Sequence, residues 1–367
     1  GAGTIDYRSI ERGSLSLTVG AGAFSGVIQN NDSPLSLTKT SAGTLTLSGN
    51  NTYSGGTTVS AGKLLVNNTT GSGTGTGSVT VESGATLGGT GLIAGSTTIG
   101  NGGTLAPGAS VGTITFSSDL ILNETSVLNY ELSTPGVVGG NVNDLTVVEG
   151  DLTLDGVLNV TNLGGFGAGS YTLMTTTGTI TDNGLTIGTL PAGFGGSISV
   201  SVNAVTLDVE ALVPEVNLSR MAIDFSSVRV GTTSADQELT ITNTGTAVLN
   251  LGSLSISGVQ AGEFGFAADN CSGQTLAVSA PCTVSIEFSP TAAGVRSAQL
   301  NIPSNAVISV DVVTLSGTGV QPELEITLSP ADFGQVRVGE TSSPLTVTVG
   351  NPGSAVLNVS ALSEAAA

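Results

Sequence analysis

The sequence predicts an all-β chain: a parallel β-helix (a solenoid) followed by immunoglobulin-like β-sandwich modules, the last one truncated. Three observations carry this. Apolar residues alternate with Ser and Thr in short runs such as SLSLTV (14–19), TLTLSG (44–49), SVTVES (78–83) and SISVSV (197–202), the period-2 pattern of half-buried strands. Leucines recur at near-constant spacing through the first two hundred residues. A second, longer repeat spans the last hundred and fifty.

In the first segment a small residue or two precedes Leu45, Leu64, Leu87, Leu105, Leu128 and Leu152, at spacings of 19, 23, 18, 23 and 24. Several short strands per unit at a period near 20 mark stacked coils. Equivalent positions then lie about 4.8 Å apart, Leu over Leu inside and Thr over Thr outside. Gly55-Gly56, Gly88-Gly89 and Gly102-Gly103 punctuate the strands as turns. An antiparallel sandwich shows the same alternation, but its hairpins do not require the same residue types to return every twenty positions.

Composition agrees and excludes. The 367 residues include 54 Gly, and only 10% are charged. Stacked like charges repel on neighbouring strands, so Ser, Thr and Asn form the favoured outer surface. Eight basic residues against 27 acidic ones give a net charge of −19, with no basic patch to neutralise nucleic-acid phosphates. His is absent, which excludes His-based catalysis and His metal sites. No apolar run approaches the roughly 18 residues of a membrane-spanning helix. Residues 1–13 show neither an initiator Met nor an apolar signal core, so the chain reads as an interior fragment.

Residues 35–66, LSLTKTSAGTLTLSGNNTYSGGTTVSAGKLLV, resemble the passenger-associated strand repeat of bacterial autotransporters. Lys39, Gly43, Leu45, Gly49, Asn51, Tyr53, Gly55, Gly56, Thr57 and Gly62 fall in its positions; Ser41 stands where the family usually has Gly. Residues 102–116 and 169–180 are similar to later passenger segments. The resemblance covers about residues 14–210. It implies an exported, right-handed β-helix of pectin-lyase-like shape, not pectin-lyase activity. The module boundaries are set at 1–212, 213–320 and 321–367. Ig-like modules rather than a membrane barrel follow the passenger-like part, which leaves the export route and the anchor open.

The second repeat is 108 residues long. Residues 214–250 align without gaps on 322–358: Asp224-Phe225 on Asp332-Phe333, residues 228–231 on 336–339, Asn243 on Asn351, Ala247–Asn250 on Ala355–Asn358. Pro214 and Pro322 sit at module starts, where a missing N–H is harmless. A unit of this length with about seven short strands is an Ig-type sandwich. The pattern, including Phe264, Cys271, Cys282, Phe288 and Gly317-Thr318-Gly319, is similar to bacterial choice-of-anchor D modules and the related ASH modules. The second copy breaks off after about 46 residues, and residues 322–367 are expected to be the least stable part.

Candidate sites are few. Cys271 and Cys282 are the only cysteines. In an exported chain they read as one structural disulfide, with free thiols the competing reading. Asp144, Glu149, Asp151 and Asp155 cluster in sequence. They read as turn and outer-face acids, with a weak Ca²⁺ site or a carboxylate pair for polysaccharide cleavage as alternatives. The only basic residues between 13 and 219, Lys39 and Lys63, lie far along the chain from them. Tyr53, Tyr130 and Tyr171 read as core rather than sugar-stacking residues. Arg229 and Arg337 read as structural strand residues, and residues 69–78 (TTGSGTGTGS) as a loop without a phosphate-binding ending. The sequon Asn123-Glu124-Thr125 matters only in a eukaryotic secretory route.

No catalytic residue, cofactor or metal ligand is assigned. The predicted function is a non-catalytic surface or secreted protein, structural or adhesive, whose partner is a host-cell or matrix glycan or protein. A pectin-lyase-like polysaccharide-degrading enzyme and a Ca²⁺-stabilised spacer are the alternatives.

Overall fold

The computed structural model describes residues 4–7, 14–30, 33–329 and 332–363; residues 1–3 and 8–13 of the N-terminal stretch discussed above lie outside them. The chain divides into two compact units, Gly1–Ala211 and Leu212–Ala367.

The first unit is a stack of coils. One eight-stranded sheet runs from Leu15–Val19 to Ile180–Asp182, a second from Gly22–Phe24 to Thr186–Thr189, and neighbouring strands in both are parallel. A third sheet of six strands completes the coils. The inner ladder of the second sheet pairs Leu45 with Leu64, Leu64 with Leu87, Leu87 with Leu105 and Leu105 with Leu128, all buried. The next rung is Leu158, not Leu152. Leu152 belongs to the first sheet, between Leu120 and Ile180. The coil between Leu128 and Leu158 contains an extra excursion over residues 133–144, so the step lengthens. Outside, Thr18, Thr38, Thr58, Thr80 and Thr98 stack in one row, and Thr153 and Thr181 continue it beyond Ile121.

The parallel order does not run to the end of the unit. Phe194–Val200 and Ala204–Ala211 form an antiparallel hairpin, and the latter strand pairs antiparallel with Gly169–Thr176. The SISVSV run lies in this hairpin. Three residues separate its strands, too few for a parallel return, which needs a dozen or more.

Buried polar groups tie coil to coil. Asn51 accepts a hydrogen bond from Ile28 N (2.8 Å) and donates to Gly73 O (2.6 Å). The Gly-rich run of 69–78 packs into the wall rather than projecting from it: Ser72 and Thr74 are buried. Gly75 has φ +67° and lies so close to Tyr53 that a Cβ would sit 2.1 Å from its carbonyl oxygen. Lys39 takes an inward position between Val19 and Val59 and is fully buried. Its ammonium donates to Ser41 O and, at 2.9 Å, to Ala61 O. Desolvation lowers its pKa from the ordinary lysine value.

The second unit begins with a sandwich of two four-stranded sheets. Phe225, Phe264 and Phe288 cluster inside it, the last two stacked at 4.7 Å. Asn243 brackets a turn, accepting from Gly245 N (3.0 Å) and donating to Ala247 O (2.8 Å). Asn351 repeats the bracket 108 residues on, with Gly353 N (3.1 Å) and Ala355 O (2.7 Å). The turns after Arg229 and Arg337 also match: Thr232 N donates to Arg229 O and Glu340 N to Arg337 O, both at 3.0 Å. Both arginines are exposed, and Arg337 lies outside any strand. In the second copy, Glu325–Ser329 and Thr346–Gly350 pair antiparallel, and Ile326, Leu328 and Val347 are exposed.

Cys271 and Cys282 are joined, with Cα atoms 5.4 Å apart. The ring they close is short, so the chain-entropy contribution is below about 3 kcal/mol. Native protein is expected to resist alkylation at both cysteines, and reduction is expected to lower its melting temperature modestly. Intact-mass spectrometry with and without reductant checks this; two alkylated thiols in the native protein would contradict it.

Candidate functional site

The four acids grouped in sequence do not converge. Glu149 is exposed. Asp151 caps a turn, accepting from Thr179 N (2.8 Å) and Thr179 Oγ1 (2.9 Å), and these bonds hold its carboxyl below the usual range. Asp155 accepts from Gly156 N. Asp144 is buried at 1% exposure, which corrects its reading as a turn or outer-face acid. Among the described residues no group of three or more Asp, Glu, Cys or His side chains is placed to hold a metal.

Asp144 closes one end of a cleft of about 250 Å³ on the outer face of the second sheet, together with Lys63, Ala106, Asn129, Glu131 and Thr161. The cleft follows from the strand register. Lys63, Ala106 and Asn129 occupy outward positions one residue off the inner leucine ladder, and Glu131 and Thr161 outward positions three residues beyond Leu128 and Leu158. Gly88 pairs with Ala106, and a Cβ on Gly88 would lie 2.3 Å from Ala106 O. The floor is therefore bare where other outward rows carry Thr. After Pro107 the chain doubles back: Gly89 and Gly108 exchange backbone hydrogen bonds at 2.9 Å, and Gly108 takes φ +79°. Ser110 Oγ then donates to Glu131 Oε2 at 3.1 Å, tying this loop to the strand Val127–Leu132.

Asp144 holds the frame. Its two carboxylate oxygens accept from Gly112 N and Glu131 N, each at 2.7 Å. Burial pushes its pKa up to about 7, and the nearby Glu131 charge adds to the rise. The two amide donors and the Lys63 charge oppose it. Lys63, remote in sequence, is thus part of the same electrostatic group. The folded state binds this proton more tightly than the unfolded chain does. Stability is therefore expected to fall as pH rises from about 4 to about 7 and to level off above. Thermal melts of the parent and Asp144→Asn across that range check this; equal slopes would contradict it.

The three candidate tyrosines of the solenoid are buried. The Tyr53 hydroxyl bonds Thr57 Oγ1 and the Tyr130 hydroxyl Thr146 Oγ1, both at 2.6 Å. Burial raises both their pKa values. The Tyr171 hydroxyl accepts from Gly167 N at 3.0 Å, and its ring stacks on Phe166 at 5.0 Å. None offers a face to a sugar. The cleft itself escaped sequence reasoning, although its signal was present: stepping one residue outward from Leu87, Leu105 and Leu128 reads Gly88, Ala106 and Asn129.

Residues 37–66 match the passenger-associated-transport-repeat, and residues 213–312 match ASH, the abnormal spindle-like microcephaly-associated, ASPM-SPD-2-Hydin family. The chain carries an autotransporter passenger repeat and an ASH module. Over 83 residues it is 48% identical to the Adhesin BmaC autotransporter of Brucella suis biovar 1 (strain 1330). That match covers 22% of this chain and 2% of the Brucella protein. The passenger repeat and this relative mark an exported, cell-surface protein. Among solved structures, the ASH/PapD-like domain 7 of human CEP192 is similar at 20% identity and a TM-score of 0.24, over 30% of this chain and 89% of that one. The secreted serine protease VesC of Vibrio cholerae is similar at 20% identity and 0.25, over 35% and 29%. Scores this low carry no argument, and the module's fold rests on its own sheets. No helix among the described residues is long and apolar enough to cross a membrane.

Proposed function

We propose that this chain is a non-catalytic, adhesive and structural segment of a surface-displayed passenger, with its modules at 1–212, 213–320 and 321–367 and one disulfide bracing the ASH module. The observation that carries the reading is the outer surface of the coil stack. Parallel register places Thr18, Thr38, Thr58, Thr80 and Thr98 in one outward row, a repetitive array of hydroxyls on a rigid support. Repeat scaffolds make contacts through such extended faces. The adhesin name of the Brucella relative supports the same role. The partners are glycans or proteins of a host cell or matrix.

Beads coated with the chain are expected to bind host cells or a glycan array above beads coated with an unrelated β-solenoid. Equal binding would overturn adhesion.

One observation favours an enzymatic reading: Glu131, Asp144 and Lys63 share a cleft, and paired carboxylates are what glycoside cleavage uses. Both Asp144 oxygens, however, accept from backbone amides of the cleft wall, which favours a structural role for this carboxyl. Product release from pectins or other acidic glycans, lost on Glu131→Gln, would reverse this choice.

A further inference from the structure

The geometry points to the outer-face cleft as a binding site for a single neutral sugar ring, a terminal hexose of a glycan, held by Lys63, Asn129, Glu131 and Thr161 over the Ala106 floor. The inference deepens the adhesive reading and rests on it.

Charge excludes the other small ligands. A divalent cation would meet the Lys63 ammonium and an Asp144 carboxylate whose oxygens already accept backbone N–H groups. An anion would meet Glu131 and Asp144. A neutral polyol meets neither obstacle. The hydrogen-bonding capacity left unused is of the kind hydroxyls satisfy, because each hydroxyl donates once and accepts twice. Glu131 uses Oε2 to accept from Ser110, which leaves Oε1 as an acceptor. Asn129 uses Oδ1 to accept from Asn159 Nδ2 at 3.2 Å, which leaves its own amide N–H groups as donors. Lys63 adds ammonium donors, and the Thr161 hydroxyl both donates and accepts. Among the described residues no partner satisfies these remaining groups. Ala106 and the exposed Ala109 supply the apolar patch against which the C–H face of a pyranose rests.

Size agrees. A cleft of about 250 Å³ lies below the roughly 300–1,000 Å³ of pockets for drug-sized ligands, which suits one ring and not an oligosaccharide. No aromatic face contributes, since Tyr130 is buried. Affinity for the free sugar is therefore in the millimolar range, about −4 kcal/mol. Surface display multiplies it through avidity.

The test uses the full chain in solution, titrated by NMR with the methyl glycosides of glucose, galactose and mannose, with glucuronate and with CaCl₂. At least one neutral glycoside is expected to saturate at about 1–10 mM, and Lys63→Ala and Glu131→Gln are each expected to weaken it about tenfold. Ala106→Gln, which fills the floor, is expected to abolish it, with all three variants still folded and melting cooperatively. Three results would overturn the assignment: no saturable binding of a neutral glycoside up to about 50 mM, tighter binding of glucuronate or Ca²⁺, or binding indifferent to both Lys63→Ala and Ala106→Gln. Because the readout needs no cell, failure here removes the cleft as a sugar site and leaves bead adhesion to be judged on its own.

Discussion

Asn51→Ala is expected to destabilise the solenoid by about 2–6 kcal/mol, because it orphans two buried backbone groups at roughly 1–3 kcal/mol each. The side chain is 2% exposed. It accepts from Ile28 N on the coil before and donates to Gly73 O on the coil after, 23 and 22 residues away. Its own N–H donates to Ser72 O at 2.7 Å. A single amide thus joins the backbones of three successive coils. Asn51→Asp keeps the acceptor but loses the donor to Gly73 O and buries a charge, so it is expected to be no better than Ala. The neighbouring Asn50 is exposed and accepts only a 3.3 Å bond from Ser72 N; Asn50→Ala is expected to cost less than about 1 kcal/mol. Urea unfolding followed by circular dichroism compares the three variants with the parent. Equal midpoints for Asn50→Ala and Asn51→Ala would show that Asn51 does not bridge the coils.

The inner ladder was legible in the sequence because each coil returns a leucine to the same place, and the outward threonines follow from it by alternation. The ladder misled at Leu152. The LTL of residues 152–154 in the first sheet looks the same as a rung of the second, and only the excursion at 133–144 moves the true rung to Leu158. Strand direction was less legible. Alternation has period 2 in parallel and antiparallel strands alike, so SISVSV fitted both; the three-residue turn at 201–203 held the answer. The burial of Asp144 had no local signal. Its donors, Gly112 and Glu131, lie 32 and 13 residues away, and a carboxyl beside a turn reads as solvated until the fold brings those amides to it. The cleft was hidden for a related reason. It is made by missing side chains at Gly88 and Ala106, and periodicity analysis looks for residues that are present.

Leu105→Ala is expected to cost about 2–5 kcal/mol, the range for truncating a leucine in a packed core, and the way it combines with other truncations tests the coil register directly. Leu105 is fully buried and pairs with Leu87 on one side and Leu128 on the other. Both neighbours are held by their own strands, so the cavity cannot collapse, which places the cost in the upper part of the range. Thr98, in an outward row, loses little on truncation to Ala, within about 0.5–1 kcal/mol. Leu105 and Leu128 are adjacent rungs, so their cavities merge, and the double variant is expected to depart from additivity by about 0.5–3 kcal/mol. Leu37 lies on a different sheet about three strand steps away, roughly 14 Å, and Leu37→Ala is expected to add to Leu105→Ala within about 0.5 kcal/mol. A solenoid couples mainly through nearest neighbours, and this contrast is specific to it. In a sandwich core, where all large side chains share one interior, no such dependence on rung number arises. Equal coupling energies for the two pairs in urea-unfolding cycles would therefore contradict the stacked register, even if each single truncation cost what is expected.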